Sequence, residues 1–297
     1  ASAKAAHRPL LVDGQSRSNA SAPFTGHPTD PTPGLYRSAA SAVTWGEFPW
    51  RSRVNKAADQ RTQYRRILLK LSGEAFQQRD SGEPLNADVL RLNAEEIKKV
   101  HDLGIQVAVV VGGGNIFRGA FGSELGIGRT IADHIGMLGT VINALALQSA
   151  LEAMGLETRV MTAIEMPAIA EQFIRRRALR HLQKGRIVIF GAGTGNPYFT
   201  TDSAAALRAN EIDCDLLMKA TKVDGIYTSD PMKDPEAERY DRITYQDAIA
   251  KGLGIMDTSA FALCMENSIP IIVFDFFNPD AIVKVLSGES TGTLVSH

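Results

Sequence analysis

The chain is poor in cysteine and in aromatic residues, and its charges nearly cancel. Its 297 residues include two cysteines, Cys214 and Cys264, both in apolar segments and without metal-ligand spacing. They read as free core thiols suited to a reducing compartment, not as a disulfide framework. A net charge of −1 provides no global field to recruit nucleic acid or an anionic membrane surface. No apolar run approaches the ~20 residues needed to span a bilayer. There is no internal repeat. G-x-x-x-x-G-K-[ST] is missing, which excludes a P-loop of the Walker type. Neither GGGNIF nor GAGTGN completes G-x-G-x-x-G, which weighs against a dinucleotide site.

Charge and proline are unevenly spread. Residues 1–62 hold 6 of the 13 prolines and 8 Lys/Arg against 4 Asp/Glu (+4), leaving 24 against 29 (−5) for the remainder. This leader has no periodic apolar pattern and cannot bury enough surface to fold alone, so it is expected to be disordered and outside the fold. Its basic, Ser-rich, acid-poor composition fits an organellar transit peptide, with an over-extended start as the other reading. Residues 63–297 are then the folded domain. The expected location is cytoplasmic, or a plastid if the leader is a transit peptide.

From Arg65 onward, apolar runs and amphipathic stretches alternate. RRILLKLSG (Arg65 to Gly73), IQVAVVVGGGN (Ile105 to Asn115), ETRVMTA (Glu157 to Ala163), RIVIF (Arg186 to Phe190), CDLLMKA (Cys214 to Ala220) and PIIVFDF (Pro270 to Phe276) read as buried strands. Helices are expected over Ala87 to Gly104, Arg129 to Met154, Pro167 to Lys184 and Ser203 to Glu211. Shorter ones follow near Tyr245 to Lys251, Ser259 to Asn267 and Asp280 to Leu286. TKVDGIYTSDPMKDPEAERY reads as irregular, and a short TLV strand closes the chain. Continuous Val/Ile/Leu strands alternating with helices predict a three-layer α/β/α fold around a mainly parallel sheet. Ligands in such folds sit beyond the carboxyl ends of the strands. The loops after Leu71, Val111, Phe190 and Ala220 can share that rim.

One loop is richest in chemistry. FGAGTGNPYFTTD (Phe190 to Asp202) leaves a strand through Gly191, Gly193 and Gly195 and enters a helix past Thr200 and Thr201. Thr201 or Asp202 is expected as the N-cap. Glycine allows close backbone approach, and a helix N-terminus favours an anion such as phosphate. Lys70 within ILLKLSG places an ammonium inside an apolar run, where it needs a counter-charge. A phosphate beside Gly73 would supply one, and a lysine snorkelling to water is the plainer alternative.

Five blocks occur in order: LLKLSGEAF (Leu68 to Phe76), VVVGGGNIFRG (Val109 to Gly119), ADHIGMLGTVIN (Ala132 to Asn143), GAGTGNPYFTTDSAAALR (Gly191 to Arg208) and KATKVDGIYTSDP (Lys219 to Pro231). Together they resemble bacterial-type uridylate kinases of the amino acid kinase fold, over about Tyr64 to Ser296. The resemblance implies ATP-dependent phosphorylation of UMP to UDP in pyrimidine nucleotide biosynthesis, with Mg2+ bridging the ATP phosphates and no metal site of the protein's own. It places UMP toward the N-terminal part and ATP toward the C-terminal part. It carries Lys70, Leu71, Ser72, Gly73, Gly114, Arg118, Thr221, Tyr227 and Asp230 to the ATP side. Gly113, Asp133, Thr194, Gly195, Asn196, Pro197, Tyr198, Phe199, Thr200 and Thr201 go to the UMP side.

Phosphoryl transfer relies on positioning and charge neutralisation, for which Lys70, Lys219 and Arg118 are the candidate cations. Asp202 and Asp257 are the acids available to orient lysines or water, and capping of their own helices is the alternative role for each. The basic run Arg175 to Arg177 reads as a solvated or subunit-facing surface. The resembling family is hexameric, and the apolar surplus of Arg129 to Met154 suits a subunit contact. Feedback by UTP is expected at the UMP site. GTP activation is left open, because QQRDSGEPLN (Gln77 to Asn86) stands where the family often carries a glycine-rich loop. A kinase acting on a small carboxylate and a non-catalytic nucleotide sensor are the competing readings. The NPYFTTD block speaks against the first, and intact Lys70, Lys219 and Asp257 against the second.

Overall fold

The structure is a computed structural model that describes residues 64–78 and 83–297. The leader, residues 1–62, lies outside the described residues, as do residues 79–82 of the loop expected to bear on GTP activation. The strands and helices run β1 (Arg66–Leu71), α1 (Ala87–Asp102), β2 (Gln106–Val111), α2 (Gly119–Glu124), α3 (Arg129–Ala153), β3 (Thr158–Thr162), β4 (Glu171–Gln172), α4 (Arg175–Gln183), β5 (Ile187–Gly191) and α5 (Thr201–Glu211). They continue as β6 (Leu216–Thr221), β7 (Ile226–Tyr227), β8 (Arg239–Tyr240), β9 (Arg242–Thr244), α6 (Tyr245–Ala250), α7 (Thr258–Glu266), β10 (Ile271–Asp275), α8 (Ala281–Leu286) and β11 (Gly292–Ser296).

Nine strands form one sheet in the order β4-β3-β5-β2-β1-β6-β10-β11-β9, parallel throughout except for β10 with β11. The expected α/β/α architecture is therefore present. Residues of the central strands are almost all buried because both sheet faces are covered. Alternation sorts them into two layers. Ile67, Leu69 and Leu71 pack with Ala94 and Ile97 of α1 and Leu147 and Leu151 of α3. Leu68, Val110 and Leu217 pack with Ala205 and Ala209 of α5 and Phe261 of α7. Period two puts Lys70 on this second face, with Leu68. Lys219 is its register partner on the neighbouring strand β6.

Strand order reverses at β1. The chain passes from β1 to β2 on one side, and β5 returns through α5 to β6 on the other. A crevice forms at such a switch point. The buried alanines of α5 let that helix lie close on the sheet, with its N-terminus at the carboxyl ends of the strands.

Four expectations need correction. The helix expected from Pro167 begins only at Arg175. Met166 O accepts from the amides of Ile169 and Ala170 in a turn, and β4 then pairs with the end of β3. The stretch after Ala220 is not wholly irregular, since β7 and β8 form an antiparallel ribbon. The N-cap of α5 is Thr200, whose hydroxyl accepts from the amides of Asp202 and Ser203. Finally, α3 is long and apolar enough to cross a membrane by length and composition, although 44% of its most apolar window is buried within the protein. It packs against α1, β3 and β5 as a core helix.

Candidate active site

Lys70 and Lys219 lean on one carboxylate. Lys70 Nζ lies 2.9 Å from Asp202 Oδ1, and Lys219 Nζ donates to Asp202 Oδ2 at 2.7 Å. Lys219 Nζ also donates to the carbonyl of Ile255. All three side chains are at most 15% exposed, so Lys70 does not snorkel to water. Asp202 stands in the first turn of α5, where the helix dipole favours negative charge. It does not cap the helix; Thr200 does. Burial works to raise the Asp202 carboxyl, but the two lysines outweigh it and hold it below its ordinary value. For Lys219 burial dominates and lowers the ammonium, against the pull of Asp202 and with the push of Lys70. Two cations around one anion leave a charge of +1 for something else to neutralise.

Asp257 is the N-cap of α7. Its carboxylate accepts from Ser259 Oγ (2.7 Å), Ala260 N (2.8 Å), Ser203 Oγ (2.9 Å) and the Thr200 hydroxyl. Burial pushes this carboxyl up, and those donors together bring it below the ordinary value. Capping and a role at the site are thus combined: Asp257 ties the start of α7 to the start of α5 and fixes the Thr200 hydroxyl.

Two cavities flank the lysine bridge. The first, about 310 Å³, is lined by Gly113, Asp133, Thr194, Asn196, Phe199, Thr200 and Thr201, and also by Gly114 and Arg118. The resemblance assigns the last two to the ATP side, yet they face this cavity. The second, about 560 Å³, is lined by Lys219, Thr221, Tyr227, Asp230 and Ile255. Asp202, directly after Thr201, thus links the two through Lys219. Lys70, Leu71, Ser72 and Gly73, expected on the ATP side, form the end of β1 and the turn after it and line neither cavity; Lys70 meets the site through Asp202.

The backbone around the first cavity is tightly held. A Cβ on Gly113 would sit 2.5 Å from Gly136 O and 2.8 Å from Thr140 N, so α3 can approach this loop only because residue 113 is glycine. Gly195 lies at φ +83° and its amide closes a turn on Ala192 O, shaping the loop rather than lining the cavity. Tyr198, at φ +71°, donates its amide to Asp133 Oδ2 at 2.8 Å, and Pro197 precedes it. Arg129 Nε donates to both oxygens of the same carboxylate at 2.9 Å. Tyr198 and Phe199 are largely exposed; Phe199 lines the cavity, whereas Tyr198 lies under the Arg129 guanidinium, 5.5 Å from its ring centroid.

In the second cavity, Tyr227 donates to Asp224 Oδ1 at 2.6 Å, which raises its phenol above the ordinary value. Thr221 donates to Val223 O at 2.6 Å. Asp230 Oδ1 accepts from the amide of Met232 at 3.0 Å.

Several residues of the site escape sequence reasoning. Fully buried Asn143 donates to Gly112 O at 2.6 Å and Asn115 Oδ1 at 2.7 Å, pinning the glycine loop from beneath. Thr140 Oγ1 accepts from Ala192 N at 2.7 Å and lines the first cavity. Asn143 and Thr140 are polar residues on the packed face of an apolar helix, and that oddity is the signal the sequence carries. Arg129 and Asp133 are readable as an i, i+4 pair.

Buried lysines with surplus positive charge, set between two cavities on an α/β switch point, suit phosphoryl transfer between two bound molecules, and so define a phosphotransferase. The comparisons agree. The amino acid kinase family model matches residues 65–275. The uridylate kinase of Paramagnetospirillum magneticum (strain ATCC 700264 / AMB-1) is 55% identical over 235 residues, 79% of this chain and 97% of that protein. The crystal structure of UMP kinase from Bacillus anthracis superposes with a TM-score of 0.77 at 42% identity, covering 78% of this chain and 96% of that one. That of UMP kinase from Ureaplasma parvum gives 0.76 at 39% identity, covering 80% and 100%. The chain belongs to the amino acid kinase family, and within it to the uridylate kinases.

Proposed function

We propose that this chain transfers the γ-phosphoryl group of ATP to UMP, giving ADP and UDP for pyrimidine nucleotide synthesis. The observation that carries this is the Lys70–Asp202–Lys219 bridge between the two cavities. UMP occupies the first cavity, with its ribose at Asp133, its base against the Thr194-to-Phe199 loop and its phosphate at the start of α5. ATP occupies the second, with adenosine against Thr221, Tyr227 and Asp230, and its phosphates reaching toward Lys70 and Gly73. A phosphate oxygen of UMP attacks the γ-phosphorus, a P–O bond forms, and the bond to the ADP oxygen breaks. That UMP oxygen is already ionised near neutral pH, so the step needs no general base. Lys70 and Lys219 stabilise the charge that spreads over the transferring group. Asp202 holds both ammonium groups in place, and Asp257 orients Thr200. Arg118 contributes from the first cavity with a planar fork suited to phosphate.

Among the described residues no three His, Cys, Asp or Glu side chains stand together as metal ligands. Asp202, the carboxylate nearest the lysines, is already engaged by both. This donor set fits Mg2+ that would arrive with the nucleotide and would neutralise charge on the ATP phosphates.

The active form is proposed to be a homohexamer. Ile131, Leu138 and Ile142 of α3 are 45–56% exposed, an apolar face that a second copy would cover. UTP, sharing the base and ribose of UMP, is proposed to inhibit at the first cavity. The experiment that tests the main proposal is ion-exchange chromatography of nucleotides after incubation with ATP, Mg2+ and UMP. ADP and UDP should appear in equal amounts. ADP without UDP would overturn the proposal.

A further inference from the structure

A second cation–carboxylate–cation bridge, centred on Glu74, lies between loops that line the two cavities. Glu74 lies in the 3-10 turn Gly73–Phe76, directly after β1. Its Oε1 accepts from Arg118 Nη2 and its Oε2 pairs with Lys222 Nζ. Arg118 also donates from Nε to Gly114 O at 3.2 Å and lines the first cavity. Lys222 sits between Thr221 and Val223, both of which line the second. One carboxylate therefore ties together the loops that follow β1, β2 and β6.

The two bridges differ in burial, and that difference decides their roles. The side chains of Lys70, Asp202 and Lys219 are at most 15% exposed, whereas those of Arg118, Lys222 and Glu74 are 61%, 51% and 29% exposed. A buried bridge is costly to open. Ion pairs as exposed as the outer ones contribute little and exchange readily for a better anion. A triphosphate offers several charged oxygens in place of one carboxylate, and Arg and Lys both bind phosphate well.

We propose that Lys222 is a phosphate-contacting residue for the nucleotide of the second cavity. In the same proposal Glu74 is a positioning residue that holds Lys222 and Arg118 in place until the phosphates take them over. This rests on the reading that the second cavity takes ATP. The hydrogen bond from Lys222, with help from Arg118, keeps the Glu74 carboxyl below its ordinary value, so the bridge is intact at neutral pH. Opening it leaves two cations and a displaced carboxylate. Glu74 therefore competes with the phosphates for binding while keeping both cations aimed.

Calorimetric titration of the full chain with ATP and, separately, with UMP tests this, alongside turnover and melting temperature. Lys222→Met should weaken ATP binding about tenfold, equivalent to ~1.4 kcal/mol, leave UMP affinity within about twofold and leave the melting temperature nearly unchanged. Lys222→Arg should restore ATP affinity. Glu74→Gln removes the competitor, so ATP should bind more tightly while kcat falls, a split that a purely structural role would not produce. Unchanged ATP affinity in Lys222→Met would overturn the proposal, as would weaker ATP binding in Glu74→Gln. Failure of the wild-type chain to bind ATP would instead overturn the reading on which it rests.

Discussion

Replacing Asp202 by Asn removes the one negative charge that two buried lysines share and hardly changes the volume. At an effective dielectric constant of ~20, contacts of 2.9 and 2.7 Å each represent roughly 6 kcal/mol of gross attraction. Desolvation of the ions offsets much of it, so deleting the shared carboxylate should cost about 3–5 kcal/mol net. For a chain of this size that lowers the melting temperature by roughly 6–20 °C. The deficit should depend on pH in a definite direction. The folded-state value of Lys219 already lies below its ordinary 10.5. Between the folded value and 10.5 the unfolded chain binds more protons than the folded one, so stability rises with pH in that window. Asp202→Asn removes the main influence that raises Lys219 and extends the window downward. The variant should therefore be weakest near neutral pH and approach wild type toward about pH 10. ATP, by supplying the missing negative charge, should raise its melting temperature more than that of wild type. Differential scanning fluorimetry over this range, with and without ATP, reads all three effects. A variant as stable as wild type near neutral pH, or a deficit that does not shrink as pH rises, would refute the reasoning.

Lys70→Met should reduce turnover about 100–1,000-fold, or ~3–4 kcal/mol of transition-state stabilisation, with the fold intact. Turnover and melting temperature measured on one preparation check it, and turnover within about threefold of wild type would remove Lys70 from the set. Gly113→Ala should weaken UMP binding and cost about 1–3 kcal/mol of stability, because its Cβ has no room against α3; calorimetry and thermal melting report both. In the wild type, the stabilisation from Asp202 should be complete above its ordinary 3.8 and fade as pH falls below it, visible as a steep acid limb that Asp202→Asn lacks. Sedimentation should show an oligomer at micromolar concentration, and Leu138→Glu on the exposed face of α3 should dissociate it; a wild-type monomer would sink the hexamer.

What is legible in the sequence follows from the range of the forces involved. Long apolar strands announce themselves, because burial on both faces leaves no polar alternation to confuse them. The oddness of Lys70 is visible for the same reason, since an ammonium inside ILLKLSG is out of place. Its partner is legible only as one of two candidate acids, Asp202 and Asp257. Asp202 is far away in sequence and reaches Lys70 only because β5, α5 and β6 cross over β1. The sequence does not single out the cap of α5 among Thr200, Thr201 and Asp202, because all three residue types can cap and only the backbone decides which does. The short β4, β7, β8 and β9 have two or three residues each, too few for any period to show. Glu74 and Lys222 look like ordinary surface charges, and only the meeting of three loops gives them a joint position.

The central claim is that the two cavities bring ATP and UMP together across the buried lysine bridge. The most direct measurement is ADP release in a coupled assay, with UMP, CMP, dUMP and several amino acids offered in turn as acceptors. UMP should be the preferred acceptor and CMP much poorer, with amino acids giving no release above background. Equal turnover of CMP and UMP, or release that depends on an amino acid, would contradict the account.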